Sequence, residues 1–498
     1  MKSVFSQSLL VFISLLFCSS YSYSQRIVNE QLFPVKGYYV DEIGYPSKIV
    51  QADRGRFLFV EYWAQGMGEG EQKREMENYY LQSYGTRSFV EHWYKPVTEP
   101  GNETMQVRDL VALSNGCFVI GDQFVSKLDQ ICTVGRFFFF DGTAKSEEPV
   151  VISNFGKKVK KKKYKEHLRT SPDKKRMLWV GIGNNFDVFS SIWAGNSDSI
   201  SSNTFQLPIQ DKRYEISDIK IDDSSNVYFL ALPNSAAMVS REGRIVPLLI
   251  KYDFMSKSCS TKPIEMPGSE IQNAKMELKS VNQIIITGIS SRMDATQWLP
   301  NGKMLKPSHV QKWTHIFLKR IRTTDFQENV SMEEPIPDKV VKYFSEKESN
   351  FSSFEFILNR DDGVFLFEER YLNKGKHYLY EIGCIGVNVQ EGKVQWGEVI
   401  KKRQRDSNGD TFLSYVAGIS RNRLRLIYLS EKGARGKVLC TSLDLKTGVR
   451  RDKMLASNEE AKYLFFTKRS EMVSAVDMVF LGMGNPGQND FKLFTVTF

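Results

Sequence analysis

The sequence predicts an all-β fold of eight repeated antiparallel sheets, and three features predict it. Short apolar strands recur at near-regular spacing, each is entered from a turn rich in Asp, Asn, Ser, Lys or Gly, and no long helical periodicity interrupts them. The strands read "ADRGRFLFVEYW", "LSNGCFVIGDQF", "SPDKKRMLWVGI", "DDSSNVYFLAL", "KSVNQIIITGI", "NRDDGVFLFEERY", "SRNRLRLIYL" and "SAVDMVFLGMG". With Phe57, Phe118, Met177, Val227, Ile284, Val364, Leu424 and Met478 as equivalent positions, the steps are 61, 59, 50, 57, 80, 60 and 54 residues.

Most units add a second apolar strand after the first and a third before the next unit. These read "GRFFFFDG" and "EPVVISNF" in the second unit, and "GKVLCTSLDL" and "VRRDKML" in the seventh. Four antiparallel strands per unit, at a period somewhat above the ~40–50 residues of compact propeller repeats, predict a β-propeller. One unit cannot bury both faces of its own sheet, and a closed ring buries all of them. The closing "DFKLFTVTF" ends the chain on a third strand, so "RIVNEQLFPV" near the start is expected to supply the fourth and close the ring. Seven blades are the alternative should the first or fifth unit be irregular, and two stacked β-sandwiches are the competing architecture.

The first 24 residues are expected to be a signal peptide. Met1 and Lys2 form a positive start, Leu9 to Cys18 (LLVFISLLFC) is an apolar core, and Ser22 and Ser24 precede Gln25 as small residues. Ten apolar residues are about half of the ~20 that span a bilayer, which disfavours a retained anchor. Phe17 is too large to precede a lipidated cysteine. A single domain over 25–498, with no later membrane-spanning stretch, is the expected mature chain. Removing Cys18 leaves Cys117, Cys132, Cys259, Cys384 and Cys440. Cys117 and Cys132 are close enough to bridge a hairpin; the alternative is that all five fill sheet interiors. No CxxC spacing points to zinc.

Net charge localises. Without Lys2 the chain carries 67 basic and 58 acidic residues, a net of +9, and residues 157–176 alone carry 11 and 2, also +9. The rest sums to zero, so the basic pI is no evidence for a broad nucleic-acid-binding face, and no nucleic-acid partner is expected. One local anion-attracting feature remains.

"SPDKKRMLWVGI" resembles the SPDG-type turn and strand of TolB-like and WD40-like propeller repeats. The resemblance implies that Ser171, Pro172 and Asp173 form the turn between the first two strands of a blade. Lys174 stands where those families carry Gly, and one unit matches well, so the likeness bears on fold. The Asp-box of sialidases is not matched, because Lys175 replaces its Gly and Trp179 falls one residue late.

The lysine run falls between the outer strand of one blade and the inner strand of the next. Long loops are expected at 64–78, 156–166, 290–313 and 322–351, gathered on one rim, where a rigid scaffold places recognition. Lys157, Lys158, Lys160, Lys161, Lys162, Lys163 and Lys165, with Trp298, His309 and Trp313, are the candidate binding residues. An acidic protein partner is the expected ligand, with an anionic lipid or acidic glycan as alternatives and a merely solvated loop as the non-functional reading.

Catalytic and cofactor motifs are absent from the sequence: His92, His167, His309, His315 and His377 are scattered, with no HExxH, GxSxG or GxGxxG pattern. The carboxylate pairs Asp222/Asp223 and Asp361/Asp362 sit in turns, where Asp caps backbone. Asp406, Asn408 and Asp410 have the first spacings of a calcium loop, but Thr411 and Ala417 occupy positions that require Gly and Glu. Asn408-Gly409 reads equally as a hairpin turn.

The S-Y-S end of the leader resembles exported proteins of bacteria with a type IX secretion route, and Asp198-Ser199-Ile200 resembles their O-glycosylation sites. The resemblance implies a periplasmic or envelope resident, secretion being the alternative. Sequons at Asn102, Asn329 and Asn350 bear on a eukaryotic secretory host only. The expectation is a non-enzymatic envelope propeller, without cofactor, that docks by its loop-rich rim to a partner such as an outer-membrane transport or secretion channel. The competing expectation is a propeller enzyme or sensor acting on an envelope polysaccharide through a central funnel holding close carboxylates or a metal.

Overall fold

The computed structural model describes residues 27–34, 49–52, 55–65, 76–98, 105–153, 164–195, 199–234, 245–280, 282–292, 314–344, 351–373, 376–406, 415–430, 437–456, 464–465, 470–483 and 490–498. These form eight antiparallel sheets. Seven are built from consecutive strands and are numbered here as blades 1 to 7, over 50–96, 106–153, 165–206, 214–263, 269–335, 351–406 and 415–456. Blade 8 joins both ends of the chain: short segments Leu464–Phe465 and Glu471–Met472, then Asp477–Met483 and Asp490–Thr497, and last the strand Ile27–Pro34, which pairs antiparallel with Asp490–Thr497. This is the expected closure, with eight blades rather than seven.

Alternation along the second strands explains the ring. In blade 3, Met177 and Trp179 pack toward blade 2, whereas Leu178, Val180 and Ile182 pack toward blade 4. In blade 4, Val227, Phe229 and Ala231 meet blade 3, and Tyr228, Leu230 and Leu232 meet blade 5. Every second strand is apolar on both faces, as a strand buried on both sides must be. Each of the eight interfaces between neighbouring blades, including that between blades 8 and 1, holds its own core cluster. Full burial of each large apolar side chain contributes about 1.5–3 kcal/mol.

Ser171, Pro172 and Asp173 form the predicted turn between the first two strands of blade 3. The Ser171 hydroxyl donates to Asp173 Oδ1 at 2.5 Å and accepts from the Arg176 N–H at 3.0 Å, while Lys175 N–H donates to the same Asp173 oxygen at 2.9 Å. Lys174, at the family's Gly position, has φ of 56°, in the left-handed region that glycine adopts without strain. The equivalent turn of blade 4 is organised by Asp222, whose carboxylate accepts from Ser224 N–H, Asn226 N–H, the Asn226 amide and the Tyr228 hydroxyl. That is the backbone-capping role expected of these turn acids.

Four expectations are corrected. The 322–351 segment is no single loop: Glu328–Pro335 is the fourth strand of blade 5, and Asp338–Phe344 is a short helix whose Val340 packs into the blade 5/6 core. Its charged edge-strand sequence, "ENVSMEEP", hid it, because only Met332 is fully buried along it. The connection expected at 64–78 is shorter at both ends and that at 290–313 at its start, since strands run to Gln65 and Arg292 and resume at Met76 and His315. Cys117 and Cys132 are both buried thiols, standing opposite Phe138 and Gln123 on adjacent strands, too far apart in register to bridge. Cys384 and Cys440 are sheet fillers as expected, whereas Cys259 is exposed. The strands flanking Asn408-Gly409 do not form a hairpin: Gln404–Asp406 pairs within blade 6 and Tyr415–Ser420 within blade 7.

Two outcomes follow. Lys174→Gly is expected to raise the free energy of unfolding by about 0.5–1 kcal/mol in urea titrations, as relief of left-handed strain exceeds glycine's added chain entropy. Asp477, at the blade 8/1 closure, accepts from Arg87 Nε at 3.1 Å and from the Thr497 and Ser474 hydroxyls. Burial opposes its ionisation, but these donors prevail and hold its pKa below the ordinary carboxylate value. Its contribution is therefore present above the unfolded-state pKa of ~3.9 and lost as pH falls through the lower folded value. The stability difference between wild type and Asp477→Asn should shrink below about pH 4 in acid titrations; a difference constant to about pH 2 would show that Asp477 does not titrate as described.

Candidate functional site

Antiparallel order sends connections between first and second strands, and between third and fourth, to one end of the ring. Connections between second and third strands, and the crossovers between blades, go to the other. At the first end the inner turns are short: 114–115, 171–175, 222–226, 281–282, 360–361 and 421–422. At the second end the strand ends are joined by 66–75, 154–164, 234–247, 293–314, 336–350 and 407–414. The described strand ends that these segments join therefore lie on one rim.

The best-defined part of this rim lies on blades 2 and 3. The hairpin joining Gly116–Val125 to Gln130–Phe139 carries Phe124 and Ile131 as cross-strand partners, with Leu128 in the one-turn helix between them. These three are 41%, 52% and 43% exposed, an apolar tip where turn chemistry favours polar residues. The fourth strand of blade 2 ends at Ser153, which pairs with Thr133, two residues along from Ile131. The lysine-bearing connection thus leaves blade 2 next to the apolar tip. It re-enters at Tyr164, whose hydroxyl donates to Asp187 Oδ2 at 2.7 Å. That hydrogen bond, and then burial, push the phenol above its ordinary pKa, so it stays a protonated donor.

Below the rim the first strands of successive blades are tied by charge. Arg108 of blade 2 lies 2.9 Å from Glu166 of blade 3 and 3.4 Å from Asp122, and donates to the Thr133 hydroxyl at 3.1 Å. Arg169 of blade 3 donates to the Ile219 carbonyl at 2.9 Å and lies 3.5 Å from Asp218 of blade 4. Asp218 sits at a β-bulge and accepts from its neighbour Ile219 N–H and, across the blade boundary, from Met276 N–H at 3.0 Å. His167 lies between these charges; burial, then the Arg169 charge, lower its pKa and keep it neutral.

These groups neutralise one another, so the geometry assembles and holds the rim. Among the described residues no three His, Cys, Asp or Glu side chains group as metal ligands do. One close carboxylate contact, Asp173 with Asp223, lies at the short-turn end, where Asp173 N–H donates to Asp223 Oδ1 at 2.9 Å. Burial and the Asp173 charge push the Asp223 carboxyl up.

Lys165 belongs to the first strand of blade 3 rather than to a loop, paired with Ile182. Asp406 ends a strand and stands opposite His377. Lys157, Lys158, Lys160, Lys161, Lys162, Lys163, Trp298, His309, Trp313, Asn408 and Asp410 lie outside the described residues. The apolar tip was missed because "GDQFVSKLDQICTV" reads as two amphipathic strands; Leu128 between Lys127 and Asp129, in a turn, was the available signal.

No protein-family model matches the sequence, and no curated protein matches it. Solved structures share the propeller architecture at low identity. The Dos1 propeller is similar at 11% identity and a TM-score of 0.43, over 93% of this chain and 95% of that one. The WD40 domain of SCAP from fission yeast is similar at 10% and 0.43, over 94% and 98%. The polysaccharide lyase Uly1 is similar at 10% and 0.41, over 81% and 92%. Such values are a likeness of fold and carry no function across.

Asp218→Ala should cost about 2–3 kcal/mol, since it leaves the buried Met276 N–H without its acceptor. Denaturant midpoints compared with Glu166→Gln, which alters a one-third-exposed ion pair and should cost about 1 kcal/mol or less, check it. Equal effects would place Asp218 among ordinary surface charges.

Proposed function

We propose that this propeller is a non-enzymatic docking subunit of the bacterial cell envelope, binding a macromolecular partner through its long-connection rim. The observation that carries the reading is the exposed Phe124–Leu128–Ile131 tip beside the start of the lysine-bearing connection. An apolar patch beside the strand end from which a lysine-rich connection departs suits a protein surface with an apolar recess and acidic border, in which burial supplies affinity and charge supplies steering. Envelope residence rests on the signal-peptide pattern of residues 1–24, and no helix among the described residues is long and apolar enough to cross a membrane. An outer-membrane transport or secretion channel is the partner proposed.

Affinity capture from gently solubilised envelopes, at low and high salt, tests this. A discrete membrane-protein partner is expected with wild type, reduced about tenfold by Phe124→Ser/Ile131→Ser and by changing Lys157–Lys163 to Ser, with circular dichroism unchanged. Capture of lipid or acidic glycan alone would transfer the rim to those ligands. Recovery of the protein by itself under every condition would sink the docking reading.

A further inference from the structure

The facing surfaces of blades 7 and 8 are apolar for most of their depth, with Ile427, Leu429 and Cys440 against Phe480, Phe494 and Val496. Toward the short-turn end the blade 7 face turns cationic. Arg425 stands opposite Ser442, and Ser442 opposite Arg451 on the outer strand, so the three are neighbours on one face. Arg423, two residues from Arg425 and on the same face, donates from Nε to Ser442 Oγ at 2.5 Å and from a terminal nitrogen to the Ser442 carbonyl at 3.1 Å. Three guanidinium groups thus gather about one serine.

Counter-charge is short. Asp444 lies 3.5 Å from Arg423, while Asp452 turns to the opposite face of the sheet, where it binds Thr441 and Arg450. Arg425 is only 8% exposed, with its guanidinium 5.0 Å from the Phe498 ring centroid, and it has no hydrogen-bond or ion-pair partner among the described residues. Its Nε is a buried donor without an acceptor, and the hydroxyl of Ser420, on the adjacent strand opposite Arg423, is buried and unpartnered as well. Burial and the charges of Arg423, Arg421 and Arg451 lower the pKa of Arg425. A desolvated cation without a counter-ion is an unfavourable arrangement in a packed sheet. The ring contact covers the face of the guanidinium and leaves its in-plane N–H groups for an oxygen ligand.

We infer that Arg423, Arg425 and Arg451, with Ser420, form a binding site for a tetrahedral oxyanion of the phosphate or sulfate class, at the short-turn end between blades 7 and 8. Three arginines against Asp444, with Arg421 near enough to act on Arg425, leave an excess of positive charge that an oxyanion would offset. Arg451 is exposed and stands at the mouth; Arg425 is the desolvated inner ligand. The anion is either a free ion or a phosphate ester on a lipid headgroup. The site is at the opposite end of the ring from the docking rim and does not rest on that proposal.

Thermal unfolding of the full chain in sodium phosphate, sodium sulfate and sodium chloride at matched ionic strength tests it. Wild type should show a saturable rise in Tm with phosphate or sulfate, Arg451→Gln should need about tenfold more anion, and Arg425→Met should lose the response. In chloride alone Arg425→Met should unfold at or above the wild-type temperature, because it removes an unpaired buried charge. Cosedimentation with phosphatidic acid/phosphatidylcholine vesicles, against phosphatidylcholine alone, separates the sources. Phosphate-competed binding to the former assigns a lipid-borne group, and a Tm response without vesicle binding assigns a free ion. A wild-type protein with neither response, or an Arg425→Met variant that is destabilised in chloride yet keeps the full response, would overturn the site.

Discussion

A sheet that is apolar on both faces cannot stand in water, and that constraint governs this molecule. Each of the eight sheets shares one core with the blade before it and another with the blade after it. No blade has a core of its own to fold around, so stability belongs to the interfaces and the ring must close. Closure falls to blade 8, where Ile27–Pro34 pairs with Asp490–Thr497 across nearly the whole length of the sequence. The Arg87–Asp477 pair and the Thr495 hydroxyl, bonded to the Thr86 carbonyl at 2.6 Å, reinforce the seam from the blade 1 side. Pairing at such sequence separation carries a large loop-closure entropy, which the seam contacts must offset.

The same constraint divides the two ends of the ring. Inner turns at one end must be tight enough for successive first strands to lie side by side, and their side chains bond to one another: Asp173 N–H to Asp223, Arg176 Nε to the Ser225 hydroxyl at 3.0 Å, Lys279 to Asp361 at 2.7 Å. At the other end nothing in the packing limits the length of a connection. Variation in length accumulates there. Beneath it, Arg108 and Arg169 tie blades 2, 3 and 4, which carry the apolar tip and both strand ends that anchor the lysine-bearing connection.

The second strands were legible in the sequence because each is apolar on both faces and follows a turn with a stated chemistry; all eight positions taken as equivalent, from Phe57 to Met478, fall within them. The closing strand was legible by subtraction, since the final unit lacked an outer strand. Outer strands were harder. They sit at a sheet edge with only one strand neighbour, so their residues are half exposed, as in Glu328–Pro335, and composition no longer separates strand from loop. Lys165 looked like the end of a charge run, yet its ladder partner Ile182 sets it in a strand; charge content is silent about pairing. The rim tip was hidden for the opposite reason. Phe124 and Ile131 continue a buried-strand pattern beyond the point where the next blade covers it.

Two clusters of positive charge show what sequence density conceals. The run at 157–163 dominates the net charge, but charges in water are screened within about 8–10 Å and cost little to leave unpaired. "SRNRLRLIYL" carries Arg423 and Arg425 at alternating positions of its strand, with Arg451 beside them on the outer strand, and looks like an ordinary amphipathic strand with a solvated face. Its register places that face against blade 8, where Arg425 lies beside Phe498 in a setting of low polarity. There the interaction of a cation with an anion is several-fold stronger than at the surface, and so is the penalty for lacking one. Three arginines at a blade interface therefore select a bound anion more sharply than six lysines on a connection, although only the latter stand out in the sequence. Whether a charge steers or binds is decided by the neighbour that covers it, and in this fold that neighbour is the next blade.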